Sequence, residues 1–271
     1  MRKKIKMIML DIDGTLLTND FLVTKDTLDA LKKAKAMGII VGIATGRDVV
    51  ATMRNLKLWK MDGVASYIVG EGGSQIYDLE KDVITTNNQI DGDLILEIMS
   101  HYKDMDVSFS IPLDGNLYYF DKENEYLNFI SNKEHLQMIK VDAKEFLKTP
   151  KPKIMIACNP SYMPKVLERS KTFSNPKFKF ASLITSSFIY EYLDPNVSKS
   201  NGIKSICKTL GFSIDNVLSF GDQDNDIDMI SSSGIGVAMG NGSEGAKKAA
   251  DFVTLDNNHD GIAYYLNKYI F

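Results

Sequence analysis

Three short apolar runs in this chain each end in a polar segment that contains Gly. They cover residues 7–10, 39–44 and 217–220. A short apolar run closed by turn residues is typical of a strand buried in a parallel sheet. Open α/β sheets bind their ligands at the carboxyl ends of such strands. The pattern therefore predicts an α/β fold with its chemistry in the segments that follow these runs.

The segment after the first run reads Asp11-Ile12-Asp13-Gly14-Thr15. Residues i and i+2 of an extended chain project to the same side, so the Asp11 and Asp13 carboxylates can converge on one point. Two converging carboxylates indicate a metal site, a covalent nucleophile or both. An ordinary turn with solvated acids is the alternative, because Asp and Gly are common turn residues.

The second run ends at Thr45-Gly46-Arg47. The Thr45 hydroxyl and the Gly46 N–H can hold a phosphate oxygen, particularly at a helix N-terminus. We expect such a helix to open at Gly46 and Arg47 and to run to about Leu56. Arg47 is either a ligand of a second anionic group on a substrate or a structural residue of that helix.

A lysine precedes an amphipathic segment near the C-terminal third of the chain. Ser198 and Lys199 lead into a helical pattern that ends at Gly211, a typical helix stop. Lys199, placed just before this helix, can neutralise a phosphoryl oxygen as a compact point charge. The alternative is a solvated surface lysine.

The third run leads into a segment with four acids in seven residues: Asp222, Asp224, Asp226 and Asp228. Their mutual repulsion requires water or a cation, and hard oxygen ligands suit Mg²⁺. The spacing also resembles part of a calcium loop. That interpretation is set aside because Ile227 and Ser233 stand where such a loop needs Gly and Glu.

Together these motifs resemble those of the haloacid dehalogenase superfamily of phosphotransferases. The residues 11–15, 45–47, 198–202 and 221–226 are similar to its four motifs in order and setting. The segments 237–242 and 260–262 are similar to closing segments of the Cof-type branch. One departure is Gly72, which stands where Cof-type relatives commonly have Asn.

The resemblance implies a fold and a mechanism. The fold would be a Rossmann-like, doubly wound parallel sheet with an inserted α+β cap domain. Asp11 would attack phosphorus and form an aspartyl-phosphate, and Asp13 would act as general acid and base. Mg²⁺ would be held by the Asp11 carboxylate, the Asp13 carbonyl and the Asp222 carboxylate, with Asp226 supporting the shell or joining it through water. The phosphoryl oxygens would be bound by Thr45, Gly46, Lys199 and Asn225.

The chain is predicted to form two domains. All the motifs lie in residues 1–80 and 195–271, where strand-like and helix-like segments alternate and Thr24 should cap a helix over 24–37. Residues 83–190 have an α+β pattern, with a helix over 93–102, a hairpin around Asp114-Gly115-Asn116 and a second hairpin of 177–181 with 188–193. By the resemblance, this insertion is the cap that selects the leaving group.

The net charge, the N-terminal segment and the cysteines indicate which compartment and which partners to expect. A net charge of −3 gives no general attraction to nucleic acid or to anionic membranes. The charged lead-in 1–6 and the apolar run behind it are too short for a signal peptide. Cys158 and Cys207 lie in apolar settings that suit buried thiols, so a reducing, cytoplasmic location is expected. The oligomeric state is left open.

The leading hypothesis is a Mg²⁺-dependent phosphatase of small phosphorylated metabolites, with sugar phosphates favoured. A phosphomutase of the same superfamily and a non-catalytic phosphometabolite-binding protein are the alternatives. The intact Asp11 and Asp13 argue against the latter.

Overall fold

The computed structural model describes residues 4–271, which form two compact units. The core domain comprises the chain up to Thr85 together with Ser198–Phe271, and the inserted domain comprises Thr86–Val197. The charged lead-in predicted from the sequence begins outside the described residues.

The strands are numbered in chain order. They are β1 (Met7–Leu10), β2 (Ile40–Ala44), β3 (Tyr67–Gly70), β4 (Gln75–Asp78), β5 (Val83–Thr86), β6 (Ser108–Leu113), β7 (Asn116–Tyr119), β8 (Gln137–Lys140), β9 (Lys153–Ala157), β10 (Ala181–Ser186), β11 (Ile189–Leu193), β12 (Val217–Gly221), β13 (Ile235–Ala238) and β14 (Phe252–Val253).

The α-helices are numbered in the same way. They are α1 (Lys25–Ala36), α2 (Val49–Asn55), α3 (Gly92–His101), α4 (Glu125–Glu134), α5 (Ala143–Phe146), α6 (Met163–Ser170), α7 (Lys199–Leu210), α8 (Ile227–Ser232), α9 (Glu244–Ala249) and α10 (Gly261–Tyr269).

The core domain is built on an eight-stranded sheet in the order β14-β13-β12-β1-β2-β3-β4-β5. The strands from β14 to β3 are parallel, and β4 runs antiparallel to β3. Successive β1 side chains point to opposite faces. Ile8 and Leu10 therefore pack in one apolar cluster, with α1 and α10, while Met7 and Met9 pack in another, with α7. Helices on both faces make the sheet doubly wound, which confirms the predicted fold class.

Local signals set several helix ends as expected. The Thr24 side chain accepts from the Thr27 N–H at 3.3 Å and caps α1, and Gly38 follows its end with a φ of +81°. Ser198 accepts from the Asn201 N–H at 3.2 Å and caps α7, which stops at a left-handed Gly211. Each cap supplies an acceptor for an N–H that has no partner within the helix.

The inserted domain contains a six-stranded sheet in the order β10-β11-β9-β6-β7-β8. One face packs on α3 and α6 through a cluster that includes Ile154, Ile156 and Tyr192. The predicted hairpin is present: β6 and β7 pair antiparallel around Asp114 and Gly115, both of which have positive φ. Such a two-residue turn matches the twist of its strands.

Two sequence predictions of element position are wrong. The helix expected from Gly46 begins at Val49, because the Asp48 carboxylate accepts from the Ala51 N–H at 2.8 Å and caps it there. The strand expected over 177–181 is instead Ala181–Ser186, which pairs with β11. The Asn175 side chain holds the N–H groups of residues 177 and 178 in a turn, so they are not in a ladder. The helix α4 and the strand β8 were not predicted.

Among residues 4–271, helices of the length and apolarity needed to cross a membrane are absent.

Candidate active site

The motif residues follow three neighbouring strands. Leu10 of β1 lies beside Ile43 of β2 and Phe220 of β12. Because these strands are parallel, the segments that begin at Asp11, Thr45 and Asp222 emerge at the same edge of the sheet. The adjacency of β2, β1 and β12 thus brings together groups that are far apart in the chain.

Lys199 is the cation at the centre of this edge. Its Nζ lies 2.5 Å from Asp11 Oδ1 and 2.5 Å from Asp226 Oδ1. The Lys199 side chain is only 2% exposed, so the alternative of a solvated surface lysine is excluded. Lys199 is the first residue of α7, one position further into the helix than predicted.

Negative charge exceeds positive charge in this cluster. Oxygens of Asp11, Asp222 and Asp226 lie within 4.8 Å of one another, and all three residues are buried. Burial raises the pKa of Asp11 well above its usual value, and Asp226 and Asp222 add to the rise against the opposing effect of Lys199. Burial alone would lower the pKa of Lys199, but its two carboxylate partners overcome this and raise it. The pKa of Asp222 is raised to about 6, first by burial.

Asp226 and Asp222 have different surroundings. Asp226 Oδ2 accepts from the N–H groups of Asp222 and Gln223, at 2.9 and 3.1 Å, while Oδ1 accepts from Lys199. Asp222 accepts from the Thr15 hydroxyl and the Gln223 side-chain amide, each at 2.9 Å. Asp226 therefore holds the backbone of the loop, and Asp222 is oriented by neighbouring side chains.

Arg47 contacts Asp13. Its Nε and Nη2 donate to the two Asp13 carboxylate oxygens at 3.0 and 2.6 Å. The Arg47 side chain is 6% exposed and Asp13 is 39% exposed, and the guanidinium lies 5.8 Å from the ring centre of Trp59. Two parallel bonds fix orientation as well as charge. The structure thus pairs Arg47 with the candidate acid/base Asp13.

Replacing Arg47 tests this pairing. For Arg47→Lys, which keeps the charge but not the two-pronged geometry, we expect a fall of about 10-fold in the kcat of the phosphate release that the resemblance implies, and for Arg47→Met a larger fall. Trp59 is the chain's single tryptophan, so its fluorescence reports the loss of the guanidinium directly.

Arg54, in the last turn of α2, is the matched control for those substitutions. Equal kcat values for Arg47→Met, Arg54→Met and wild type would show that the Asp13 pairing has no catalytic role.

The remaining predicted phosphate ligands, Thr45, Gly46 and Asn225, differ in how deeply they are buried. Thr45 is buried, and its hydroxyl accepts from the Arg47 N–H at 3.2 Å. Gly46 is half-buried and precedes α2 instead of opening it, so it does not have the helix-terminal setting expected for it. Asn225 is exposed in a short 3₁₀ turn over Asp224–Asp226.

The turn after β3 contains Gly72, the position at which the resemblance led us to expect Asn. Gly72 has a φ of +68°, in the left-handed region that Gly and Asn both adopt, and its N–H donates to the Thr45 carbonyl at 3.0 Å. At Gly73 a Cβ would lie 2.0 Å from the Ser198 carbonyl oxygen. Gly73 therefore allows the start of α7, and with it Lys199, to approach this turn.

Three contributors were missed from the sequence. The Thr15 and Gln223 side chains hold Asp222, and Asn241 donates to the Gly14 carbonyl at 2.8 Å. Thr15 lies two positions after Asp13, and Gln223 directly follows Asp222, so both lie within the recognised motifs. That position was the available signal. Asn241 carried no such signal beyond its place in a closing segment.

The donor set fits a divalent cation. Buried carboxylate oxygens within reach of one another, with a surplus of negative charge, are the ligands that Mg²⁺ takes. Asp11 and Asp222 would hold it through their carboxylates.

Acids and a hydroxyl at the ends of adjacent parallel strands, beside a buried lysine at the start of α7, form an α/β site that can hold an anionic substrate. Residues 8–266 match the model of the haloacid dehalogenase-like hydrolase family, so the chain belongs to that family. It is an enzyme of this family, and curated relatives that it matches are named as phosphatases.

Two of the similar structures and one relative show how far the likeness extends. A haloacid dehalogenase-like hydrolase from Bacteroides thetaiotaomicron superposes with a TM-score of 0.87 at 22% identity, over 98% of this chain and 99% of that one. The subclass IIB sugar phosphatase BT4131 superposes with a TM-score of 0.82 at 23% identity, over 97% of this chain and 98% of that one. The 5-amino-6-(5-phospho-D-ribitylamino)uracil phosphatase YitU of Bacillus subtilis is 25% identical over 99% of each chain.

Proposed function

We propose that the protein is a Mg²⁺-dependent phosphatase of small phosphorylated metabolites that works through an aspartyl-phosphate on Asp11. The observation that carries the proposal is the buried cluster of Asp11, Lys199, Asp226 and Asp222 at the carboxyl ends of β1 and β12. The surplus of buried carboxylates over the one lysine favours a cationic partner, and the family membership favours phosphoryl transfer.

In this proposal Asp11 is the nucleophile. One Asp11 carboxylate oxygen attacks phosphorus as the bond to the leaving alcohol oxygen breaks, and water later displaces the phosphate from Asp11. The Lys199 ammonium, which lies 2.5 Å from Asp11 Oδ1, stabilises the negative charge of the phosphoryl oxygens. The Thr45 hydroxyl, the Gly46 N–H and Asn225 supply neutral donors to the same oxygens.

Asp13 moves the protons. It protonates the leaving alcohol oxygen and then takes a proton from the attacking water. Arg47 donates to both Asp13 oxygens, so it orients the carboxyl group. One of these two hydrogen bonds must break when an Asp13 oxygen is protonated. Arg47 is thereby proposed as a positioning residue, in place of the substrate contact suggested by the sequence.

Asp11, the Asp13 carbonyl and Asp222 would hold Mg²⁺, with Asp226 supporting the shell through the loop backbone. When bound, the ion reduces the repulsion between the anionic substrate and the anionic nucleophile.

Sugar phosphates and related polyhydroxylated esters are the proposed substrates. One supporting fact is that YitU is named for a phosphoribityl compound and BT4131 as a sugar phosphatase. We further propose that the inserted domain is the cap that selects the leaving group. Buried free thiols at Cys158 and Cys207 support a cytoplasmic location.

The test is phosphate release by the purified full chain from p-nitrophenyl phosphate and from a panel of sugar, sugar-alcohol and nucleotide monophosphates, with Mg²⁺ and with EDTA. We expect turnover with Mg²⁺, loss of turnover with EDTA and a preference for polyhydroxylated esters. Turnover that requires a sugar bisphosphate would favour the phosphomutase. Binding without turnover in any condition would favour the non-catalytic protein and overturn the proposal.

A further inference from the structure

The closing segment that contains Asn241 lies against both acidic turns of the site. Met239 N–H donates to the Gly221 carbonyl at 3.0 Å, and Ser243 N–H donates to the Asp222 carbonyl at 2.7 Å. Between them, the Asn241 side-chain amide donates to the Gly14 carbonyl at 2.8 Å. One short segment therefore contacts the turn after β1 and the turn after β12.

The Asn241 amide is itself held in one orientation. The Asn257 N–H donates to Asn241 Oδ1 at 3.0 Å, so the Asn241 Nδ2 must face Gly14. Asn257 is buried, and its own Nδ2 donates to the Leu17 carbonyl at 2.9 Å and to Asn19 Oδ1 at 3.1 Å. Asn257 thus contacts the later part of the turn that carries Asp13 directly, and it contacts Gly14 through Asn241.

Small movements of this turn would be transmitted to the acids. Gly14 has a φ of +79°, and a Cβ there would lie 2.4 Å from Asp222 Oδ2. The Gly14 backbone therefore packs directly on the Asp222 carboxylate, and Thr15, the next residue, donates to the same carboxylate. The separation of Asp13 from Asp222 depends on where Gly14 sits.

We propose that Asn241 is a positioning residue that, oriented by Asn257, holds the Gly14 carbonyl and sets the separation between the Asp13 turn and Asp222. The inference rests on the proposed phosphatase function for its catalytic consequence, but the restraint on the turn itself does not. Outer contacts of this kind typically change activity or metal affinity by about 10- to 100-fold when removed.

The test compares Asn241→Asp and Asn241→Ala with Asn216→Asp. Asp at position 241 keeps an acceptor for Asn257 but has no donor for Gly14. Asn216 is a matched control: its Nδ2 donates to the Lys4 carbonyl at 2.9 Å, also at an exposed site, but before β1 rather than after it. We expect both Asn241 variants to lower kcat by about 10- to 100-fold with little change in KM. Asn216→Asp should leave both kcat and KM unchanged.

Hydrogen exchange supplies a readout without turnover. The Leu16 and Leu17 N–H groups close the turn onto the carbonyls of Asp11 and Ile12, at 3.2 and 3.0 Å. These amides should exchange faster in Asn241→Asp than in Asn216→Asp. Exchange and kcat that match the control would overturn the proposal, as would faster exchange with unchanged kcat. Absence of turnover in the wild-type chain would instead refute the phosphatase function, while the exchange rates would still decide whether Asn241 restrains the turn.

Discussion

Asp11→Asn is expected to abolish phosphate release, with a loss of at least about 10⁴-fold in kcat, because an amide cannot attack phosphorus to form an acyl phosphate. The substitution preserves volume and removes one of three buried carboxylates. Because Lys199 keeps its second partner, Asp226 at 2.5 Å, we expect a smaller loss in the free energy of unfolding than for Lys199→Met. The measurement is phosphate release with Mg²⁺, with circular dichroism as the check on folding.

The nucleophile can also be identified covalently. With p-nitrophenyl phosphate, whose leaving group needs no proton, Asp13→Asn removes only the general base of the hydrolysis step. Phosphate should then accumulate on the peptide that contains Asp11 after acid quench, as seen by mass spectrometry. Asp29→Asn is a surface control, since Asp29 lies on α1 and pairs with the exposed Lys25 at 2.7 Å. Substantial turnover by a folded Asp11→Asn would rule out the covalent route through this residue.

Lys199→Met is expected to have the second-largest effect, and to change stability as well as activity. It leaves the buried Asp11 and Asp226 carboxylates without the ammonium that lies 2.5 Å from each. Removing one partner of a buried ion pair typically costs about 3–5 kcal/mol in the free energy of unfolding. Loss of the phosphoryl-binding charge should lower kcat by about 10³-fold or more. Urea unfolding and phosphate release measure the two effects separately.

Two further variants make the result specific. Adding Asp226→Asn to Lys199→Met should restore part of the lost stability, because it removes one uncompensated charge, but it should not restore turnover. Mg²⁺ should also stabilise Lys199→Met, since it binds only the folded carboxylate cluster. Lys25→Met, which breaks the exposed pair with Asp29, should leave the unfolding midpoint unchanged. An equally small effect at Lys199 would mean that the buried pairs do not stabilise the fold.

Local sequence determined the secondary structure around the site, and it did so through short-range chemistry. The apolar run 7–10 predicted β1, Thr24 predicted the start of α1, and Gly211 predicted the end of α7. Each of these signals acts over a few residues. Where a signal of the same range was overlooked, as with the Asp48 cap of α2, the prediction was wrong.

The motif acids and Lys199 were identifiable from the sequence because their order and setting resemble those of a known family. Their contacts were not. Lys199 and Asp11 are separated by 188 positions, Arg47 and Asp13 by 34, and Asn241 and Gly14 by 227. Periodicity and capping describe only neighbours in the chain. Which side chains meet across such distances is decided by the order of β2, β1 and β12 in the sheet and by the tight approach of α7 at Gly73, and only the tertiary structure supplies these.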